Sequence, residues 1–341
     1  MLYHQEIQPV SPKDRFLGCL LGMAIGDALG MPVEGWPAER IRREHGWIDG
    51  YLPRIGADGT VEAEAGDFTD DTELALCQVE GLITTQGFVD PVAVGLRIER
   101  MAEGPAGRFL DPTTRLAVAA FDRTETYQDG VIAGGPPGNG AIALAIPIGL
   151  IHSLGRFNPE LFAREVMRAS LITHAHLESL NAAVAAAYGI WLQATDSVPS
   201  LMLPEEVASF VDEDEVAAKL RLAAELVTGE PERKRDLANL RRIGTSSRAA
   251  ETIAAAMYCA ATYQADALGA TLAAANAGGD TDTIAAVCGA LVGARFGGSA
   301  FPKRLVEGLA GSMYIGVATP GFYRAAQRRA GMLLGLQRVD R

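Results

Sequence analysis

Two short stretches carry more acid than a helix start needs. Gly66-Asp67-Phe68-Thr69-Asp70-Asp71-Thr72-Glu73 leads into LALCQVEGLI, and Gly278-Gly279-Asp280-Thr281-Asp282-Thr283 leads into IAAVCGALVGARFG. One Asp or Thr is enough to cap a helix, and early carboxylates suit its dipole. Adjacent or alternate aspartates beside threonines, twice, before helices this apolar, drive several carboxylates toward the interior. Like charges repel there unless a cation lies among them. The two clusters therefore read as a metal site, with capping plus solvent-exposed charge as the alternative. Carboxylate and hydroxyl oxygens without His or Cys suit magnesium or manganese better than zinc, and no twelve-residue calcium loop ending in Glu is present. Four aspartates in two clusters suggest two ions. Such a pair can polarise a sugar hydroxyl, orient a water and offset phosphate charge.

A third element is Gly26-Asp27-Ala28-Leu29-Gly30-Met31-Pro32-Val33-Glu34-Gly35, where a helix ends and the chain turns. Glu34 in that turn is a candidate acid/base or movable metal ligand, or simply an exposed loop glutamate. Asp27 sits near a helix end, where the dipole disfavours an anion, so it needs a partner such as a backbone donor or a metal-bound water. Gly138-Asn139-Gly140-Ala141-Ile142-Ala143 fits a loose dinucleotide fingerprint, but DGVIAGGPP is a poor strand before it and Pro147 follows. His174 and His176 alternate at a helix start and point apart, so capping or hydrogen bonding is expected of them. No GxSxG, HExxH or GxxxxGK[ST] is present, so serine hydrolase, zincin and P-loop chemistry are not supported. Glu232-Arg233-Lys234-Arg235-Asp236 and Arg241-Arg242 read as a solvated face.

The elements that must position these residues read as helices. Ser11 and Pro12 mark a helix start running through FLGCLLGMAIGDALG. Further helices are expected at about 70–86, 91–102, 112–122, 139–154, 159–172, 176–196, 213–228, 246–264, 266–276, 281–296 and 302–311. Residues 30–66 lack sustained helical pattern and suggest a long ordered loop with short pieces. Residues 197–212 and 228–244 read as surface connections. The 341 residues include 48% hydrophobic and 21% charged, a globular composition. The net charge of -12 argues against nucleic acid as the main partner. Cys19, Cys77, Cys259 and Cys288 form no CxxC pair and read as free core thiols, which suits a cytoplasmic location. Neither a signal peptide nor a membrane-spanning helix is expected.

These motifs together resemble the ADP-ribosylglycohydrolase (ADP-ribosylarginine hydrolase, DraG-like) family. The matching stretches are GCLLGMAIGDALGMPVEG, FTDDTELAL, GNGAIALAIPIG at 138–149, SLITHAHLESLNAA at 170–183, and ANAGGDTDTIAAVCGALVGARFG ending at Gly297. They span residues 14 to about 311, the expected core of one domain over 1–341. The resemblance implies an all-α fold, a single compact orthogonal bundle of helices. It implies that Thr69, Asp70, Asp71, Asp280, Asp282 and Thr283 hold two magnesium or manganese ions. Glu34 would belong to the mobile active-site loop, with Glu34, Asp70 and Asp282 the candidate catalytic carboxylates. Gly138, Asn139, Gly140, Ser170 and His174 would approach the ribose and phosphates, with Gly278 and Gly279 beside them. Two departures bear on the substrate. No arginine follows the GNG motif where many members read Met-Arg, and Gly134-Gly135-Pro136-Pro137 replaces the aspartate that arginine-processing members often carry. Trp36-Pro37 and Trp47-Ile48-Asp49 resemble a subgroup suspected of cleaving simpler N-ribosides. The expected reaction is hydrolysis of an N-glycosidic bond at a ribose anomeric carbon, with a small-molecule or protein-linked ADP-ribosyl conjugate such as ADP-ribosyl-arginine as substrate. A nucleoside or other small N-riboside is the alternative. A catalytically silent ADP-ribose-binding protein is the reading from a different class. A monomer or small homo-oligomer is expected, with neither nucleic acid nor membrane as partner.

Overall fold

The computed structural model describes residues 9–124 and 135–339. The first residues of the N-terminal stretch, and residues 131–134 of the loop before Gly138, lie outside the described residues. The chain runs α1 (Pro12–Gly30), α2 (Ala38–His45), α3 (Asp70–Thr84), α4 (Pro91–Ala102), α5 (Pro112–Thr124), α6 (Ala141–His152), α7 (Pro159–Ser170) and α8 (Leu177–Thr195). It continues through α9 (Leu203–Phe210), α10 (Glu215–Leu226), α11 (Arg233–Ile243), α12 (Ala249–Thr262), α13 (Ala267–Ala275), α14 (Thr281–Phe296), α15 (Lys303–Gly308) and α16 (Ser312–Val339). Strands among the described residues are limited to a small hairpin, β1 (Arg54–Ile55) antiparallel to β2 (Val61–Ala63). The all-α architecture expected from the sequence is the one found.

α14 is the hub, buried from Thr281 to Ala294 and packed by α1, α8, α12 and α13, with α3 and α6 beyond. Its closest partner is α1, capped by Ser11, whose hydroxyl accepts from the Asp14 amide at 3.2 Å. Gly18, Gly22, Gly26 and Gly30 recur every fourth residue and so share one face of α1. A Cβ on these four would fall 2.3, 2.1, 1.9 and 2.3 Å from the carbonyl oxygens of Gly293, Gly289, Ala285 and Thr281. The two helix backbones therefore touch, and only glycine fits on α1. This contact joins the C-terminal end of α1 to the first turn of α14, where the Thr281 hydroxyl donates to the Gly30 carbonyl at 2.9 Å. The helix at Pro12–Val33 is long and apolar enough to cross a membrane, and its burial against α14 accounts for that apolarity. The four cysteines are buried and unpaired, as expected.

Three sequence expectations need correction. The surface connections at 197–212 and 228–244 contain α9 and α11. α11 buries Asp236, Asn239, Leu240 and Ile243, a helical stripe whose first two members are polar, so hydrophobic periodicity could not reveal it. Asp236 is not part of a solvated face. It is 2% exposed and accepts from the hydroxyls of Tyr258 at 2.9 Å and Tyr263 at 3.1 Å. Finally, the packed core does not stop near residue 311, because α16 buries Ile315, Phe322, Ala326 and Arg329 against α1, α3 and α6. Its glycines and Pro320 masked the periodicity.

Candidate active site

The two Thr/Asp clusters come together at the junction of α1, α3 and α14. Thr69 is the cap of α3, its hydroxyl accepting from the Asp71 amide at 3.3 Å. Asp27 supplies the rest of that cap from the end of α1. Its carboxylate accepts from the Thr69 amide at 3.0 Å, the Thr72 amide at 3.2 Å and the Thr72 hydroxyl at 2.6 Å. The unfavourable dipole at the end of α1 is thus answered by the favourable one at the start of α3. The partner that the sequence demanded for Asp27 is a set of backbone donors.

At α14 the capping position is Asp280, yet its carboxylate makes no capping bond. It accepts instead from the Asn139 amide, and Asn139 also donates to the Thr252 hydroxyl at 2.8 Å. Capping therefore does not account for these acids. Asp71, Asp280, Asp282 and Thr283 are each less than a tenth exposed. Burial pushes Asp70 up to about 7, helped by the charges of Asp27 and Asp111. Burial and the neighbouring Asp70, Asp27 and Asp280 raise Asp71 well above the ordinary range. Burial, then Asp280, Glu34 and Asp71, do the same to Asp282. Without a cation these groups are forced toward protonation. The donor set is all oxygen, and ligand atoms of Glu34, Asp280 and Asp282 lie within 4.8 Å of one another, which fits a hard divalent ion.

Gly278 and Gly279 bring Glu34 to this cluster. Their φ values of +79° and +78° are left-handed, and a Cβ on Gly278 would fall 2.4 Å from the Ala38 nitrogen. The tight turn lets Gly35 donate to the Gly279 carbonyl at 2.7 Å and Gly279 donate to the Trp36 carbonyl at 2.9 Å. Glu34, immediately before this ladder, is held over the first turn of α14. The two glycines thus build the site without lining its cleft.

Glu34, Thr69, Asp70, Asp71, Asn139, Gly140, Asp280, Asp282 and Thr283 line one cleft of about 110 Å³, joined by Phe109, Asp111 and Ser247. A second cavity of about 330 Å³ shares Asp111, Asn139, Gly140 and Ser247 with it and extends to Gly138, Ser246 and Arg248. Sequence reasoning missed Phe109, Asp111 and the 246–248 segment. Asp111 reads only as a helix cap, and it is one, accepting from the Thr113 amide at 2.7 Å. His174 lies behind the GNG turn. It is 1% exposed, its Nε2 lacks a hydrogen-bond partner among the described residues and stands 4.0 Å from the Asp111 carboxylate, and a Cβ on Gly140 would fall 2.9 Å from its ring. His176 caps α8, accepting from the Glu178 amide at 3.2 Å. Ser170 is not brought to the cleft. It is fully buried in α7, its hydroxyl donating to the Val166 carbonyl at 2.9 Å.

Comparison with known proteins bears on the fold and the family. A protein of Archaeoglobus fulgidus is 33% identical over 87% of this chain and 92% of its own length. ADP-ribosylarginine hydrolase Tri1 of Pseudomonas putida is 30% identical over 91% of this chain and 78% of its own. A solved ADP-ribosylglycohydrolase-related protein superposes with a TM-score of 0.72 at 27% identity, covering 92% of this chain and 99% of the other. The sequence pattern of the ADP-ribosylglycohydrolase family matches residues 8–337, and with its two acidic helix starts meeting over a glycine-packed helix pair, the chain belongs to that family of glycosidases.

Proposed function

We propose that the protein hydrolyses the N-glycosidic bond between a ribose anomeric carbon and the nitrogen of an ADP-ribosyl conjugate, with ADP-ribosyl-arginine the leading substrate. The observation that carries this reading is the convergence of Glu34, Asp70, Asp71, Asp280 and Asp282 on one small cleft beside a larger cavity. Thr69, Asp70, Asp71, Asp280, Asp282 and Thr283 would hold two magnesium or manganese ions. Bound there, the ions would polarise the ribose hydroxyls, orient a water and offset phosphate charge. Glu34 takes a proton from water as its oxygen adds to the anomeric carbon, and returns one to the nitrogen as the carbon–nitrogen bond breaks. Asn139 fixes the Asp280 carboxylate, and the GNG turn, backed by His174, closes one wall against water. Arginine-conjugate hydrolysis is the named activity of the Pseudomonas relative, which supports the substrate class.

A second reading has an observation behind it. Among the described residues lining the larger cavity, the cation is Arg248, and Glu178 already engages it at 2.7 Å. A diphosphate would therefore rely on the first turn of α6, whose capping residue, Gly140, has no side chain to occupy it. A smaller, unphosphorylated N-riboside needs no such anion site. The test is magnesium-dependent product release from an ADP-ribosylated arginine peptide, free ADP-ribose conjugates and nucleosides, by wild type and Asp282→Ala. Release of ADP-ribose by wild type alone is expected. Turnover of nucleosides only would select the second reading, and equal product from both proteins would remove the metal-dependent mechanism.

A further inference from the structure

Glu34 stands at the mouth of the acidic cleft, where its carboxylate faces Asp280 and Asp282 on one side. On the other side it meets Arg54 of β1, whose Nη1 is 2.7 Å from Glu34 Oε2. Arg54 is itself held: its Nε lies 3.3 Å from a Glu62 oxygen on β2, and its guanidinium carbon stands 5.9 Å from the Phe109 ring centroid. The side chain is 28% exposed. Burial works against its charge, and Glu34, Asp282 and Glu62 outweigh that burial. The hairpin carrying Arg54 packs on the Met31–Val33 turn that leads into Glu34. No motif in the sequence pointed to this arginine.

We infer that Arg54 is a positioning residue for Glu34: it fixes the carboxylate at the rim of the cleft and opposes any divalent cation that enters beside Asp280 and Asp282. The inference rests on the metal reading of the acidic cluster. Two effects of opposite sign follow from one guanidinium. Its positive charge repels an entering cation through a partly buried medium, so its loss strengthens cation binding. Its Nη1 holds one Glu34 oxygen while its Nε is tied to Glu62, so its loss leaves the acid/base group misplaced and slows turnover. A side chain that served stability alone would move binding and turnover in the same direction.

The experiment titrates Mn²⁺ alone into chelator-stripped wild type, Arg54→Gln and Arg54→Lys by calorimetry, and measures kcat and KM on whichever conjugate wild type hydrolyses. Thermal melts of the stripped proteins check folding. For Arg54→Gln the expected result is Mn²⁺ affinity tighter by about threefold or more, with kcat lower by about tenfold or more. Arg54→Lys, which keeps the charge without the fork, should bind Mn²⁺ as wild type does and recover part of kcat. Affinity that is unchanged or weaker in Arg54→Gln overturns the proposal, as does an unchanged kcat. Wild type that binds no Mn²⁺ removes the metal reading and this inference with it, whereas binding that is equal in wild type and Arg54→Gln removes the inference alone.

Discussion

The two ends of α6 meet buried acid in opposite ways. At its C-terminal end, His152 Nε2 lies 2.6 Å from Glu165 of α7, and Arg329 of α16 approaches the same carboxylate at 2.6 Å. Burial alone would raise Glu165, but the His152 hydrogen bond and the Arg329 charge overcome it and hold it below its usual range. At the other end, Asn139 and Gly140 border a cleft in which burial, with repulsion from neighbouring carboxylates added to it, raises Asp70, Asp71, Asp280 and Asp282. One fold, one helix apart, neutralises Glu165 with its own cation and, among the described residues, pairs none of these four aspartates with one. The difference separates a joint whose charge is balanced from a cleft whose buried acids have no paired cation among the described residues.

Substitution separates the two regions most sharply. Asp282→Ala should reduce turnover by about 10³-fold, yet leave the metal-stripped chain at least as stable as wild type, since it removes one of several buried like charges. Product release and a thermal melt in chelator measure both. Glu165→Gln should do the reverse. Losing the partner of a buried cation costs about 3–5 kcal/mol, while kcat of the folded fraction holds, because the triad does not touch the cleft. A Glu165→Gln chain as stable as wild type would break the comparison.

Much of this was legible beforehand, and the exceptions share a cause. The Thr69–Asp71 and Asp280–Thr283 clusters stood out because local sequence carries the whole signal: too many acids before too apolar a helix. Asp27 stood out as an anion at the wrong end of a helix. The glycine stripe of α1 was present in the spacing of Gly18, Gly22, Gly26 and Gly30, but its meaning depends on α14, more than 250 residues away. Phe109 and Asp111 reach the cleft from one short segment and Arg54 reaches Glu34 from another, and each alone looks like an ordinary strand, loop or cap residue. Ser170 shows the converse error, a residue carried over from a family motif whose hydroxyl is already committed to its own helix.

The comparison also has a pH signature. Asp27 and Asp70 hold their protons up to about 6 and about 7 in the folded chain, against an ordinary value of 3.8. The folded state therefore binds more protons than the unfolded one between those limits, and this contribution to stability is present below pH 3.8 and lost as pH rises through 6 to 7. Metal-stripped wild type should lose several degrees of Tm relative to Asp70→Asn as pH is raised from about 4 to about 7.5. Saturating Mg²⁺ should flatten the difference, because a bound cation favours the ionised carboxylates. A difference that ignores both pH and Mg²⁺ would mean that the acids are not electrostatically loaded.

Asp236 sets a midpoint between the two regions and the smallest effect. It is buried as deeply as Glu165, but its partners are hydroxyl and amide donors: Tyr258, Tyr263 and, at 2.8 Å, the Glu232 amide, with the Arg235 Nε standing off at 3.5 Å. Hydrogen bonds here do the work that Arg329 does for Glu165, and burial raises Tyr258, pushed up to about 12, so its proton stays available to donate. Asp236→Asn keeps one acceptor oxygen and replaces the other with an amide that cannot accept from tyrosine. The expected loss is about 1 kcal/mol, on the order of 2 °C in Tm for a chain of this size. The loss should be the same with and without Mg²⁺, because α11 lies outside the cleft. A larger loss that Mg²⁺ rescues would tie this network to the acidic site and place Asp236 on the other side of the comparison.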